Sequence, residues 1–246
     1  VGADYDDALP VGDLERTLDE GAFDLATMVH CETPTGTLNR LGPALDLFEA
    51  HDVLTVVDAV SSLGGTPVPT DRIDITLGAS QKCFSAPPGL AVCSVSDAAW
   101  ERIEARDPDS LYTNLLPWHD AEQPYPYTHL STLTVALEAA LDLVLEEGPD
   151  AVYDRHREAA RVCRERGREL GLEPYPDPER SSPTVTAFSV PGRAVDLQER
   201  LHREHDVTLS TGLGGLENDV LRVGHMGYNA DVEKVERAMD ALDAAV

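Results

Sequence analysis

The sequence predicts an α/β protein with a mostly parallel sheet in a large first domain and a smaller α+β domain at the C-terminal end. Short apolar runs alternate with helical or turn segments in the first part of the chain, whereas the last part follows the order strand, helix, strand, strand, helix. The segment "EEGPD" breaks the pattern between them. We therefore place the large domain at residues 1–147 and the small domain at residues 148–246.

Four apolar runs have the length and composition of β-strands. They are "FDLATMVH" (23–30), "DVLTVVD" (52–58), "DITLG" (74–78) and "LAVCSV" (90–95). Between the first two, "GPALDLFEAH" predicts a helix, because Pro43 suits a first helical turn and Ala44 and Phe48 lie on one side. A strand, a helix and a strand in this order predict two parallel strands joined by a right-handed crossover.

The middle of the chain predicts a long loop followed by two helices. Residues 107–131 are rich in proline, aspartate and aromatic residues, which is typical of a loop. Leucines spaced by four then predict a helix over 131–147, and an Arg- and Glu-rich segment predicts a second helix over 149–171.

The composition excludes several classes of partner. The 45 Asp and Glu residues outnumber 19 Lys and Arg, so the formal net charge is -26, and the acids are spread along the whole sequence. Such a surface repels nucleic acid and anionic lipid, and we expect neither as a partner. The chain has two lysines, Lys82 and Lys234. Acidity combined with few lysines is typical of a halophilic protein, although an ordinary acidic protein is the alternative.

The cysteines and the hydropathy predict a soluble cytoplasmic protein. The four cysteines form no C-x-x-C pair, which argues against a zinc site or a redox dithiol. No apolar run approaches the length of a membrane helix, and no signal peptide precedes the first predicted helix.

Polar side chains follow the first three predicted strands, where ligands bind in open α/β sheets. They are His30, Glu32 and Thr33 after the first, Asp58 at the end of the second, and Ser80, Gln81 and Lys82 after the third. A lysine beside an aspartate can be an ion pair that fixes two loops. It can equally be the pair that pyridoxal phosphate requires, since an amine forms the Schiff base and an acid keeps the pyridine nitrogen protonated.

Four segments carry a resemblance to a known family: "HCETPTG", "VVDAVSSLGG", "SQKCFSAPPG" and "LRVGHMG". In this order and spacing they resemble the class V pyridoxal-phosphate aminotransferases, and among these the alanine-glyoxylate and serine-pyruvate aminotransferase family. The resemblance begins near Gly21 and reaches the C-terminus. It implies the type I pyridoxal-phosphate transferase fold and a transaminase that moves an amino group from alanine or serine to glyoxylate or pyruvate by a ping-pong Schiff-base mechanism.

The resemblance implies cofactor-binding roles for five residues. Lys82 would form the Schiff base with pyridoxal 5'-phosphate and would move a proton during catalysis. Asp58 would pair with the pyridinium nitrogen, and Val60 would pack against the ring. Thr33 would contact the phenolic side of the ring, and Gln81 would contact the same region or the phosphate.

The resemblance also implies a substrate contact and a partner subunit. Arg222 would bind the substrate α-carboxylate, for which a planar two-pronged donor is suited. Tyr125 and Thr128 match a Tyr-x-x-Thr motif that reaches the phosphate of the partner subunit's cofactor, although Tyr112 and Tyr127 leave the register open. We therefore expect a homodimer with shared active sites, acting on a small amino acid and a 2-oxo acid.

The pattern departs from the family in one respect, and two alternatives stay open. Only 20 residues precede Gly21, where the family has a long segment that holds the cofactor phosphate, so we expect the sequence to be part of a longer chain. One alternative is a cysteine desulfurase, a family that tends to have a histidine where this chain has Gln81. The other is a non-catalytic truncated subunit that pairs with an intact one.

Overall fold

Two four-stranded sheets, one on each side of Gly148 in the sequence, organise the residues that the computed structural model describes, which are 1–106, 108–120 and 124–246. The helices are α1 (Val11–Glu20), α2 (Gly42–Ala50), α3 (Asp97–Arg106), α4 (Leu116–His119), α5 (Ser131–Glu147), α6 (Pro149–Glu169), α7 (Ala194–His205) and α8 (Val232–Ala245). The strands are β1 (Leu25–Val29), β2 (Cys31–Glu32), β3 (Thr37–Leu38), β4 (Leu54–Asp58), β5 (Ile75–Ala79), β6 (Ala91–Val95), β7 (Glu173–Pro174), β8 (Val185–Ser189), β9 (Ser210–Thr211) and β10 (Val220–Gly224).

The first sheet has the order β1-β4-β5-β6 and is mostly parallel, as the sequence predicted. β4 is parallel to both β1 and β5, while β6 runs antiparallel to β5 at the sheet edge. Val29 is opposite Asp58, and Asp58 is opposite Leu77, so the ends of three strands are level. The register therefore brings the loops after β1, β4 and β5 to one edge.

Helix α2, which connects β1 to β4, is held in place by its buried apolar side chains. Ala44 and Phe48 pack with Leu18 of α1 and with Val53, and all four side chains are buried. Pro43 lies in the first turn of α2, where its missing N–H has no helical partner to lose. The predicted strand–helix–strand unit is confirmed.

Gly148 separates the two long helices. Its φ of 86° lies in the left-handed region, which only glycine adopts without strain, and Pro149 then starts α6. The prediction of a helix over 131–147 is confirmed, and the predicted helix over 149–171 ends two residues earlier, at Glu169.

The predicted loop over 107–131 is wrong in part, because α4 lies within it. Residues 107 and 121–123 of that loop lie outside the described residues. The sequence analysis also missed α3, which buries a single residue, Ala99, and so lacks an apolar stripe.

The second sheet has the order β7-β8-β10-β9 and is antiparallel at each pairing. Helices α6, α7 and α8 pack against it, and the core between them includes Phe188, Leu197, Leu221, Met239 and Leu242. This is the α+β arrangement predicted for the C-terminal part, and the domain boundary at residues 147 and 148 stays a prediction.

None of the helices in the described ranges has the length and apolar character that crossing a membrane requires. The same ranges contain no cluster of three or more His, Cys, Asp or Glu side chains arranged to hold a metal ion.

Candidate active site

Backbone hydrogen bonds hold the loops after β1, β4 and β5 side by side. The His30 N–H donates to the Asp58 carbonyl over 2.8 Å, and the Ala59 N–H donates to the Leu77 carbonyl over 2.9 Å. The chain thus leaves three parallel strands at the same edge of the sheet. This edge is where an α/β sheet offers backbone and side-chain groups to a ligand.

Lys82 lies in the turn that follows β5. Its side chain is partly buried, and its Nζ makes no hydrogen bond or ion pair with the residues that the structure describes. The Ser85 N–H donates to the Lys82 carbonyl over 3.0 Å, which closes the turn behind the lysine, and the next residue, Cys83, is fully buried. The buried cysteine anchors the turn that carries Lys82. Gln81, on the other side of the lysine, is exposed.

Asp58 ends β4 with an exposed side chain, and its Oδ1 accepts the Val60 N–H over 2.9 Å. The ion pair between Asp58 and Lys82 that the sequence allowed is absent from the described part of the chain. The carboxylate is therefore held by its own loop. Burial, followed by the charge of Asp58, raises the pKa of Glu32, and both acids line the same cleft.

Thr33 and Ser61 link the first two loops. Their hydroxyls are 2.7 Å apart, and the Ser61 carbonyl accepts the hydroxyl of Thr184 over 2.7 Å. Ser182 in turn contacts both Thr184, at 2.9 Å, and Cys31, at 3.3 Å. Ser182 and Thr184, from the second half of the chain, therefore hold the loops after β1 and β4 through buried hydrogen bonds.

Arg222 of β10 reaches the same edge from the second sheet. Its Nε donates to the Thr211 carbonyl over 2.6 Å, and its Nη1 donates to the Thr33 carbonyl over 3.3 Å. Burial lowers the pKa of the Arg222 guanidinium, which has no carboxylate partner among the described residues. The structure thus brings a desolvated cation next to the loop that carries Thr33.

A cleft of about 680 Å³ lies beside this edge of the sheet, but it does not include most of the site residues described above. Glu32 and Asp58 contribute to the cleft wall, whereas most of the lining is apolar and comes from residues 1–10, α1 and β1. Lys82, Thr33 and Arg222 are not part of the lining. We place the site at the strand ends, because the unpaired Lys82 amine and the Arg222 guanidinium, which has no carboxylate partner in the described residues, are there.

Comparisons with known proteins show the family of the chain. Residues 3–237 match the model of the aminotransferase class-V family. The chain belongs to that family. This class V aminotransferase is 38% identical over 215 residues to an uncharacterized aminotransferase of Methanocaldococcus jannaschii, a match that covers 84% of this chain and 56% of the relative.

Two further relatives are named for their substrates. An alanine–glyoxylate aminotransferase of Mus musculus is 34% identical over 235 residues, covering 90% of this chain and 57% of the relative. The crystal structure of a pyridoxamine–pyruvate aminotransferase from Mesorhizobium loti superposes with a TM-score of 0.94 at 30% identity, covering 100% of this chain and 65% of that structure. The class V aminotransferase thus has the type I fold of the pyridoxal-phosphate transferases, and it spans less than two thirds of these relatives.

Tyr125 and Thr128 of this class V aminotransferase lie apart from the strand-end network. Both are exposed, and the Tyr125 ring packs against Trp118 at 5.5 Å and His129 at 5.2 Å between centroids. No hydrogen bond joins either residue to the strand-end loops in the ranges that are described. Their assignment to a partner subunit's cofactor stays a prediction.

The cysteines near the site are inert. Cys31 and Cys83 are buried, and burial raises the pKa of both thiols, that of Cys83 to about 12. A thiol that stays protonated at neutral pH is a poor nucleophile, so the buried cysteines of this class V aminotransferase give no support to the desulfurase alternative.

Sequence reasoning missed several residues at the site. Ser61, His225 and Gly227 lie inside motifs that were recognised, but no role was assigned to them. Thr184 and His156 lie in segments without any motif. Two signals were available: a hydroxyl in an apolar strand segment, "SPTVTAF", and a histidine on a helix face among alanines, "RHREAA".

Proposed function

We propose that this chain supplies the catalytic lysine and the substrate-binding arginine of a pyridoxal-phosphate-dependent aminotransferase. The observation that carries the proposal is the Lys82 amine, which lies unpaired at the carboxyl edge of a parallel sheet whose neighbouring strand ends in Asp58. The activity proposed is the transfer of an amino group from a small amino acid, alanine or serine, to glyoxylate or pyruvate. The names of the relatives support alanine as the donor and glyoxylate or pyruvate as the acceptor.

The residues at the strand ends fit pyridoxal 5'-phosphate by their chemistry. A reactive carbonyl requires an unpaired amine, which Lys82 offers, and a pyridine nitrogen requires an acid, which Asp58 offers through the oxygen that Val60 does not use. Val60, Thr33 and Gln81 would complete the contacts. When bound, the cofactor supplies an aldehyde that condenses reversibly with an amine and a ring that withdraws electrons from the substrate Cα.

Lys82 has a second task as the base of the reaction. No carboxylate pairs with Nζ in the described residues, so the amine is available to a bound substrate. Nζ would accept the proton from the substrate Cα and return it.

Arg222 positions the substrate. Two of its nitrogens are tied to backbone carbonyls, which fixes the plane of the guanidinium and leaves Nη2 for a ligand. A carboxylate is the group that neutralises a desolvated guanidinium with the best geometry. The α-carboxylate of the amino donor, and later that of the 2-oxo acid, would bind here.

The proposal includes a homodimer with shared sites. Tyr125 and Thr128 lie on an exposed segment, which is compatible with their reaching the cofactor phosphate of a partner subunit. The match of the segment to the family motif is the support for this assignment.

A screen of amino donors and 2-oxo acids tests the proposed activity. The full-length protein, in concentrated potassium chloride with pyridoxal phosphate, is tested with alanine, serine and pyridoxamine as donors and with glyoxylate and pyruvate as acceptors. We expect turnover that is lost in Lys82→Arg and kept in Arg203→Lys, a control at an exposed position on α7. Activity in Lys82→Arg at the wild-type rate, or no turnover with any pair, would refute the proposal; release of sulfide from cysteine would favour a desulfurase.

A further inference from the structure

Residues 225–228 form a turn, called here the 225–228 turn, that presses on the backbone around Lys82. Gly227 has a φ of 57°, and a Cβ atom there would lie 3.1 Å from the carbonyl oxygens of both Lys82 and Cys83 and 1.9 Å from the Ser85 Oγ. The Tyr228 N–H also donates to the Ser85 Oγ over 2.9 Å. Residues 82–85, called here the lysine turn, are therefore covered by the backbone of Gly227, a position that has no room for a side chain.

Helix α6 holds the 225–228 turn from the opposite side. The Gly227 N–H donates to His156 Nε2 over 3.0 Å, and Arg155 donates to the Gly227 carbonyl. Arg155 is itself fixed by Glu147, whose carboxylate lies 2.6 Å from its Nε. The backbone N–H and the backbone carbonyl of Gly227 are thus both hydrogen-bonded, by two neighbouring residues of one helix.

The tautomer of His156 is set by its own helix. Nδ1 lies 2.7 Å from the Val152 carbonyl, which has no proton to donate, so Nδ1 carries the hydrogen and Nε2 carries the lone pair. This is the tautomer that the Gly227 N–H requires.

The same ring borders the loop that follows Asp58. A Cβ atom on Gly65 would lie 3.1 Å from His156 Cδ2, 2.7 Å from Cys83 Sγ and 2.6 Å from Thr184 Cγ2. His156 is fully buried, so a purely structural side chain at this point could be apolar at lower cost. A histidine at this position packs against the loop that follows Asp58 and also accepts a hydrogen bond from Gly227, which an apolar side chain could not do.

We propose that His156 is a positioning residue for Lys82, which it fixes by accepting the Gly227 N–H and so holding the 225–228 turn on the lysine turn. This inference rests on the proposed function of Lys82. It adds a residue of helix α6 to the machinery that orients the amine.

The neutral form of His156 is the one that can act in this way. The charged and titratable groups around it are Arg155 on its own helix, Glu147 on α5, His225 on the turn and Cys83 on the lysine turn. Burial lowers the pKa of His156 to about 4; the hydrogen bond with the Val152 carbonyl and the charge of Glu147 act against this shift, and the charge of Arg155 acts with it. A proton on Nε2 would point at the Gly227 N–H, and the bond would be lost.

The test compares three variants without cofactor: His156→Gln, which keeps an acceptor near the place of Nε2, His156→Asn, which is too short to reach Gly227, and His156→Leu, which has no acceptor. Lys234 is left unchanged in all three variants and is not used as a reference, because its Nζ donates to the Tyr228 carbonyl in the 225–228 turn. The rate of Lys82 labelling by acetic anhydride is compared with that of added Nα-acetyl-lysine, whose ε-amine is free. Amide hydrogen exchange is measured over the 225–228 turn.

We expect wild-type behaviour from His156→Gln. In His156→Asn and His156→Leu we expect about five-fold faster exchange in the 225–228 turn, the effect of losing one ordinary hydrogen bond, with a similar change in Lys82 labelling. No change in Asn and Leu, an equal change in all three, or failure of His156→Gln to fold would overturn the proposal. The labelling needs no cofactor, so a wild-type Lys82 that binds no pyridoxal phosphate would defeat the proposed function while this result still stood.

Discussion

The hydroxyl of Thr184 donates a hydrogen bond of 2.7 Å to the carbonyl of Ser61, and this bond joins the second half of the chain to the loop that follows Asp58. Both residues are buried, and the Ser61 hydroxyl lies 2.7 Å from that of Thr33. The position of the strand-end loops therefore depends on a polar network whose members lie far apart in sequence.

Thr184→Val should destabilise the fold by about 1–3 kcal/mol, because it leaves the Ser61 carbonyl with only the weak and distant donor of the Cys83 thiol, at 3.8 Å. The measurement is denaturant unfolding in concentrated potassium chloride. Thr208→Val, at an exposed position, is the control and should change stability by less than about 0.5 kcal/mol. Equal effects of the two substitutions would contradict the network.

Acid should destabilise the fold through its buried histidines. Burial lowers the pKa of His30 and His156 from 6.5 to about 4, and that of His225 to about 3. Between pH 6.5 and about 4 the unfolded chain thus binds more protons than the folded one, so stability is full above pH 6.5 and falls as the pH decreases. Each histidine contributes up to about 1.4 kcal/mol per pH unit.

The slope of unfolding free energy against pH measures this effect. His30→Asn keeps a polar group near the Ser62 hydroxyl, which lies 2.8 Å from His30 Nδ1, and should lower the slope by about one proton. His202→Gln, at an exposed site, should leave the slope unchanged. A flat profile in the wild-type protein would contradict the burial of three neutral histidines.

Salt should stabilise the protein, because a net charge of -26 repels itself. The Debye length falls from about 30 Å in dilute buffer to about 3 Å in molar salt. The unfolding temperature should therefore rise steadily with potassium chloride, and choline chloride at the same ionic strength should act alike if screening is the cause. An unfolding temperature that does not change with salt would contradict the prediction of halophilic behaviour.

Arg222→Lys should impair substrate binding more than the chemical step. A lysine cannot bind the Thr211 and Thr33 carbonyls and a carboxylate in one plane, so we expect kcat/KM for the amino donor to fall about ten-fold or more, chiefly through KM. Arg203→Lys, at an exposed position on α7, is the control. Steady-state kinetics of the full-length protein decides, and an unchanged KM would show that Arg222 does not bind the carboxylate.

The strand ends could be predicted from the sequence because their signal is local. Each run of apolar residues marks a strand, the residue that follows it lies at the sheet edge, and parallel pairing brings the edges together. Asp58 and Lys82 were found in this way. The sequence did not predict that Asp58 and Lys82 form no ion pair. Whether Asp58 accepts a hydrogen bond from its own loop or pairs with a lysine depends on backbone geometry, which the spacing of residues in the sequence does not encode.

The supporting contacts could not be predicted for a different reason. Ser61 and Thr184 are 123 positions apart, and His156 and Gly227 are 71 apart, so each contact exists only after the second sheet has packed against the first. Helix α3 was missed because it buries Ala99 alone and so has no amphipathic pattern.

The most direct measurement of the central claim is the site of covalent capture of the cofactor. The full-length protein in concentrated potassium chloride is incubated with pyridoxal phosphate, reduced with borohydride, digested and analysed by mass spectrometry. Among residues 1–246 the candidates are Lys82 and Lys234. The account predicts the reduced adduct on Lys82 with Lys234 unmodified, whereas an unmodified Lys82, or equal modification of both lysines, would contradict it.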